Sequence, residues 1–159
     1  MKTLSLALSA VLAAALLSSP LMASGQDWRL NPAFGSIRLQ AGFLPDPHRK
    51  EVRSGGRLDA SRLGGRCTGM IAAAPDYRVQ YQSGSYPLTI SGTSRADTTL
   101  VINGPDGRWY CNDDGGNNGL NPSLVFRRPA SGQYDIWVGT YGSTSYEPTI
   151  LSVSEVGRR

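Results

Sequence analysis

The chain has 159 residues and an apolar fraction of 40%, enough for one domain with a hydrophobic core and too little for two of ordinary size. Its 19 glycines and 10 prolines exceed average usage without reaching the range that is typical of disordered chains. The net charge of +4 comes from cations scattered along the sequence, which argues against a nucleic-acid-binding protein.

The first 25 residues have the pattern of a secretory signal peptide. Lys2 supplies the positive n-region, an apolar run extends from Leu4 to Leu17, and small residues precede a predicted cleavage site after Gly25. The run is shorter than the roughly 20 apolar residues that a membrane helix needs, and no later stretch resembles one. The sequence therefore predicts a secreted or periplasmic protein without a membrane span, whose single domain comprises residues 26–159.

Residues 26–65 carry little regular pattern. Within them, residues 34–39 alternate apolar with small or polar side chains and predict a first strand. Pro45 and Pro47 disfavour helix at their own positions and at the residues before them, so this stretch should be extended or turning. We expect the segment to wrap the core more than to form it, with the core itself in residues 66–156.

From residue 67 onward, short apolar stretches recur at intervals of about 8 to 12 residues, with turn residues between them. The predicted strands cover residues 67–71, 77–81, 86–91, 98–103, 108–111, 123–127, 133–139 and 149–154. Residues 112–122 are too polar and glycine-rich for regular structure. This pattern predicts an all-β sandwich or barrel.

Cys67 and Cys111 are the only cysteines, and both lie in the part of the chain that is predicted to be exported. An even number of cysteines in an oxidising compartment predicts one disulfide. A zinc site would need four ligands, which two sulfurs and the single distant His48 do not supply without carboxylates.

The sequence does not predict an enzyme. His48, the only histidine, would have to serve any Ser–His–Asp or Cys–His arrangement, and it lies in a proline-flanked segment without a recognised hydrolase motif. Glutamates are few and the aspartates lie mostly in turns, which does not favour a pair of carboxylates doing acid–base chemistry.

Three segments, taken in order and at their spacing, resemble the bacterial pre-peptidase C-terminal domain family. They are residues 97–107 (DTTLVINGPDG), 112–116 (NDDGG) and 131–139 (SGQYDIWVG). The resemblance implies a jelly-roll-like antiparallel β-sandwich that is usually an accessory to secreted hydrolases and not itself catalytic. It also implies two kinds of ligand, because some members bind calcium and others bind insoluble polymers such as collagen.

A calcium site is one interpretation of the polar residues in this region. Asp97, Asp106, Asn112, Asp113 and Asp114 fall within 18 residues and carry the oxygen ligands that calcium prefers. Their spacing does not match an EF-hand loop, and Asp, Asn and Gly are also the ordinary residues of turns. A calcium cofactor and plain turn chemistry both stay open.

A second candidate site consists of aromatic side chains. Trp137 lies on the opposite face of its predicted strand from Ile136 and Val138, so it either faces outward, with Tyr141 beside it, or is covered by the N-terminal segment. An exposed tryptophan would suit a sugar ring or a protein partner. The sequence therefore predicts a non-catalytic exported module with a binding or structural accessory role. The alternative is a carbohydrate- or polymer-binding protein that uses exposed aromatics, and the expected partner is an extracellular or periplasmic protein or polysaccharide.

Overall fold

The computed structural model describes residues 25–116 and 119–156, so the predicted signal peptide lies outside the described residues except for Gly25. These two ranges form eleven strands and one 3₁₀ turn, and no helix in them is long and apolar enough to cross a membrane. The strands are β1 (Ser36–Gln40), β2 (His48–Ser54), β3 (Leu58–Asp59), β4 (Met70–Ile71), β5 (Tyr77–Gln82), β6 (Leu88–Thr93), β7 (Thr98–Asn103), β8 (Trp109–Asn112), β9 (Ser123–Phe126), β10 (Gly132–Thr140) and β11 (Glu147–Ser154), and the 3₁₀ turn is Ala60–Leu63.

The strands form two sheets, and the predicted all-β sandwich is confirmed. The smaller sheet has the order β2-β11-β6-β9 and is antiparallel throughout. In the larger sheet the long strand β10 is central, because it pairs with β7 along one edge and with β5 and then β4 along the other. β7 continues the sheet to β8, β4 continues it to β3, and β5 continues it to β1 through its one parallel pairing.

Apolar side chains from both sheets meet in one core between them. The alternation that predicted the strands decides which side chains these are, since successive residues of a strand face opposite sides of its sheet. The buried members are Leu39, Val52, Tyr77, Val79, Tyr81, Leu88, Ile90, Leu100, Ile102, Tyr134, Ile136, Val138, Leu151 and Val153. Leu39 and Val52 belong to β1 and β2, so the core begins before residue 66, and the N-terminal segment supplies strands to both sheets.

A second, smaller apolar layer covers the outer face of the larger sheet. Val101 of β7 and Trp137 of β10 pack there against Ala60 of the 3₁₀ turn and Ile71 of β4. Cys67 joins this layer to Cys111 of β8 through a disulfide with a Cα–Cα distance of 4.9 Å, which confirms the predicted bond. We call residues 58–71, which supply most of this layer, the covering layer. The disulfide bonds the covering layer covalently to the sheet beneath it.

Asp76 closes a gap at the centre of the larger sheet. β5 accompanies β10 only as far as the pair of Tyr77 and Ile136, and β4 joins the same edge only at Thr140. Between them, the Val138 N–H donates to the Asp76 carboxylate at 2.6 Å, and the Asp76 N–H donates to the Ile136 carbonyl at 2.8 Å. The side chain of Asp76 thus replaces a missing strand neighbour, at a position that is 2% exposed.

Candidate ligand-binding groove

The five residues predicted as calcium ligands do not meet at one point. Asp97 precedes β7 and Asp106 follows it, and a six-residue strand separates its ends by roughly 20 Å. Asp106 instead accepts hydrogen bonds from the Tyr110 hydroxyl at 2.6 Å and from the Arg108 N–H at 3.1 Å, and the bond from Tyr110 lowers its pKa. Asp106 therefore stabilises the hairpin between β7 and β8.

Asn112 holds the start of the polar loop together. Its side-chain oxygen accepts hydrogen bonds from the Gly115 N–H at 2.7 Å and from the Ser123 N–H at 2.8 Å. The Gly116 N–H also donates to the Asn121 carbonyl at 2.6 Å, which closes the loop near its far end. These bonds are the turn chemistry that the sequence left open for this segment.

Asp97, Asp113 and Asp114 do lie near one another. The pKa of Asp97 is raised, first by partial burial and then by the negative charges of Asp114 and Asp113. Among the described residues, however, no three His, Cys, Asp or Glu side chains are arranged to hold a metal ion. The five predicted ligands thus do not fit a single calcium ion, and calcium binding stays a prediction from the sequence.

Thermal unfolding of the protein in EDTA and in millimolar calcium tests this prediction. A site that binds calcium only in the folded protein must raise the unfolding midpoint, by mass action. If calcium binds at the remaining carboxylates, the rise should disappear in Asp113→Asn and persist in Asp106→Asn, which alters the hairpin at the other end of β7. An unchanged midpoint would contradict calcium binding and leave the loop as a turn held by Asn112.

Trp137 is fully buried, so the hypothesis that it forms an exposed ligand surface is wrong. It packs under the covering layer, with its ring centroid 5.4 Å from that of Trp109. The other interpretation of Trp137, that it belongs to a second sheet face covered by the N-terminal segment, is correct. Tyr141 is 53% exposed on the loop after β10, and the two side chains therefore share no aromatic surface.

A different groove lies on the same outer face of the larger sheet, beyond the edge of the covering layer. The strand register places Arg78, Asp135, Asn103 and Trp109 in one row across β5, β10, β7 and β8. Each of them alternates with a side chain of the central core, so all four point away from it. Asn103, Asp135 and Trp109 line a groove of about 420 Å³.

Polar side chains form the floor of this groove and hold one another in place. The Arg78 Nε donates to Asp135 Oδ1 at 2.5 Å, and the Gln133 amide donates to Asp135 Oδ2 at 2.7 Å. Gln80 in turn donates to the side-chain oxygen of Gln133 at 2.7 Å. Asp135 is 1% exposed. Its charge is neutralised by Arg78, and each of its two carboxylate oxygens accepts a hydrogen bond.

Two tryptophans stand on opposite sides of this floor. Trp28 is 46% exposed, and its backbone carbonyl accepts a hydrogen bond from the same Arg78 guanidinium that binds Asp135. The Asp27 N–H next to it donates to the Ala73 carbonyl at 2.8 Å. Trp109 on the other side is supported by the ring of Trp137. We call the concavity lined by Trp28, Trp109, Asn103, Gln133 and Asp135 the tryptophan groove.

The rim of the tryptophan groove requires a glycine. Gly132 has a φ of +138°, and a Cβ atom at this position would lie 2.8 Å from the side chain of Pro105. A larger residue would therefore push apart the two turns that meet there. The same Ser-Gly-Gln-Tyr turn was one of the segments on which the family resemblance was drawn.

Sequence reasoning did not find this groove, although part of its signal is present. In β5 and β10, Arg78 and Asp135 alternate with apolar core residues. This alternation indicates that the outer face of the sheet is polar at these two positions. Trp28 lies in a stretch without a periodic pattern, and nothing local connects it to Arg78, 50 residues away.

Sequence similarity to a protein of Synechococcus elongatus shows the family of the chain. The uncharacterized protein Synpcc7942_2126 of Synechococcus elongatus is 36% identical over 121 residues, which cover 76% of this chain and 82% of the relative. The chain belongs to the same family as this protein. No family model matches the sequence.

Two solved structures are similar to the chain. One is the pre-peptidase C-terminal domain of a collagenase from Bacillus anthracis, with 15% identity, a TM-score of 0.45, and coverage of 79% of this chain and 100% of that domain. The other is the Aeromonas hydrophila protein PliG, a periplasmic inhibitor of g-type lysozyme, with 13% identity, a TM-score of 0.40, and coverage of 75% and 96%.

Proposed function

We propose that this chain is a non-catalytic binding module that works outside the cytoplasm and that the tryptophan groove is its binding site. The observation that carries the proposal is the fixed row of Arg78, Asp135 and Asn103 between two tryptophans. A concave site with aromatic walls and a few oriented polar groups is the usual form of a ligand pocket. Because the polar groups are already held by hydrogen bonds, little side-chain entropy is lost when a ligand enters.

The bonding of Asp135 supports binding over turnover. An acid or base catalyst needs a carboxyl oxygen that can reach the proton of a substrate. Both oxygens of Asp135 are occupied by Arg78 and Gln133, so this carboxylate acts as a scaffold. His48 lies outside the groove, where its Nε2 is 3.1 Å from the Tyr77 hydroxyl. Desolvation, followed by the charge of Lys50, lowers the pKa of His48.

Two observations support a location outside the cytoplasm. The first is the signal-peptide pattern of residues 1–25, with its apolar run and small residues before the cleavage site. The second is the Cys67–Cys111 disulfide, since such bonds persist mainly in oxidising compartments. The proposed location comprises both the periplasm and the surrounding medium.

Co-sedimentation with a cell-envelope pellet tests the proposal. The chain is exported into the periplasm of a bacterial host, its intact mass is measured to locate the cleavage site, and it is mixed with washed envelope material of Synechococcus elongatus, the organism of the relative. We expect saturable sedimentation that weakens at least fivefold in Trp28→Ala, because tryptophans are enriched among the interface residues whose truncation costs more than about 1 kcal/mol.

Tyr86→Ala and Tyr141→Ala serve as matched controls, because both remove an exposed aromatic side chain outside the tryptophan groove. Both should sediment like the unaltered protein, and all variants should keep its unfolding midpoint. Equal sedimentation of Trp28→Ala and the unaltered protein would overturn the groove as the binding site. A loss confined to Tyr141→Ala would place the site on the loop after β10 instead.

A further inference from the structure

We infer that the ligand of the tryptophan groove is an uncharged carbohydrate. This inference rests on the proposed function, because it names the chemical class that the same site would bind. It is carried by three features of the groove: two tryptophan walls, a floor with amide side chains, and the pairing of its one charged lining residue, Asp135, with Arg78.

The walls suit the faces of sugar rings. The face of an indole carries partial negative charge and attracts the weakly positive C–H groups of an apolar surface. A pyranose presents such C–H groups on its faces and hydroxyls around its edge, so it can lie flat against a tryptophan while its hydroxyls remain free to bond. Trp109 ends a row that begins at Arg78 and crosses four strands, about 14 Å at ordinary strand spacing. The backbone carbonyl of Trp28 accepts from Arg78 at the other end of this row.

The floor suits hydroxyl groups. A sugar hydroxyl both donates and accepts hydrogen bonds, and the amides of Asn and Gln also do both. In the part of the chain that the structure describes, the Asn103 side chain makes one hydrogen bond, a long one of 3.3 Å from its Nδ2 to the Gly107 carbonyl. Its side-chain oxygen remains able to accept from a ligand. The Gln133 amide, held by Gln80 and Asp135, keeps a second N–H for donation.

The charge of the floor selects among ligands. Asp135 is the one charged residue that lines the groove, and Arg78 neutralises it at 2.5 Å. The Arg78 guanidinium is further engaged by the backbone carbonyls of Trp28 and Leu30. The Arg29 guanidinium lies 5.9 Å from the centroid of the Trp28 ring and is paired with Asp27 at 2.9 Å, so both of these guanidinium groups already have a carboxylate partner. A basic peptide would meet no unpaired carboxylate. A neutral, hydroxyl-rich ligand can bind without breaking any of these ion pairs.

Chemical treatment of the envelope pellet separates this inference from the proposed function. One portion of the pellet is digested with proteinase K, and another is extracted with organic solvent. A further portion is oxidised with periodate, which cleaves the vicinal diols of sugars, and the resulting aldehydes are reduced with borohydride. We expect sedimentation of the chain to survive protease and solvent and to be lost after periodate. It should change little between 50 and 500 mM NaCl, because an uncharged ligand releases no counterions on binding.

Each other outcome overturns a stated part of the inference. Sedimentation lost to protease and retained after periodate would make the ligand a protein, and loss on solvent extraction would make it a lipid; both leave the proposed function in place. A steep fall with salt would show that the ligand is charged. If sedimentation does not depend on Trp28, the proposed function fails together with the inference.

A variant of the floor tests the sugar geometry directly. Gln133→Ala removes an amide from the floor but leaves both tryptophans, and it should weaken sedimentation several-fold without removing it. Gln82→Ala is the matched control, since Gln82 lies on β5 outside the groove. Because Gln133 also supports Asp135, the unfolding midpoint of each variant is measured in the same preparation. Unchanged sedimentation of a folded Gln133→Ala would overturn the assignment of hydroxyl binding to the floor.

Discussion

Replacing Cys67 and Cys111 together by alanine should lower the free energy of unfolding by about 4 kcal/mol. The bond closes a loop of 44 residues, and the chain entropy that such a closure removes from the unfolded state corresponds to about this value. For a domain of this size, the loss should lower the thermal midpoint by roughly 10 to 15 °C. Differential scanning calorimetry of the two proteins under oxidising conditions measures the change.

Reductant supplies the control for this prediction. The unaltered protein, once reduced, should unfold near the midpoint of the double variant, and the double variant itself should not respond to reductant. The bond also joins the covering layer to β8, so its loss should loosen the layer over Trp137 before the central core. A midpoint that falls by less than about 3 °C would contradict a structural role for the bond.

The strands that could be predicted are those with at least one clearly buried face. β7 was predicted over residues 98–103 and has these bounds, and β10 extends the predicted 133–139 by one residue at each end. β-branched and aliphatic residues fill both faces of β7, and aromatic or β-branched residues fill the core-facing side of β10. Such residues are enriched in strands. Their sequence pattern and their tertiary environment agree.

β2 was not predicted, because most of its residues are charged and only two of its positions are buried. His48–Ser54 reads HRKEVRS, with Val52 and Ser54 as its two buried positions. The strand lies at the edge of the smaller sheet, where charged side chains protect an exposed edge from pairing with other chains. The charged residues hide the alternation of this strand, which is defined by its pairing with β11 along all seven of its residues.

The tryptophan groove was harder to predict than the strands, because its parts come together only through register. Trp28, Trp109 and Asp135 are far apart in sequence, and a one-residue slip of β10 would turn Asp135 toward the core. Trp137 shows the same limitation. Its outward position in the strand was predictable, and its burial depends on the layer formed by residues 58–71.

Replacing Asp76 by asparagine should remove most of the decline in stability between about pH 4 and pH 8. Burial raises the pKa of Asp76 from 3.8 to about 8, while the hydrogen bond from the Val138 N–H acts in the opposite direction. Below pH 4 the group is protonated in both the folded and the unfolded chain. Between pH 4 and pH 8 only the unfolded chain releases the proton, so the free energy of unfolding should fall by about 1.4 kcal/mol per pH unit.

Asparagine suits this test because its side-chain oxygen can still accept the Val138 N–H and does not titrate. Urea unfolding at pH 4.5, 6.0 and 7.5 should show Asp76→Asn becoming more stable than the unaltered protein as pH rises. Asp114→Asn, a change at an exposed carboxylate, should leave the slope as it is. Asp76→Ala should cost about 1 to 3 kcal/mol at low pH, because it leaves the buried N–H unpaired. Parallel pH profiles for Asp76→Asn and the unaltered protein would mean that the carboxyl group keeps its ordinary pKa, and that the gap between β5 and β4 is bridged by an ionised side chain.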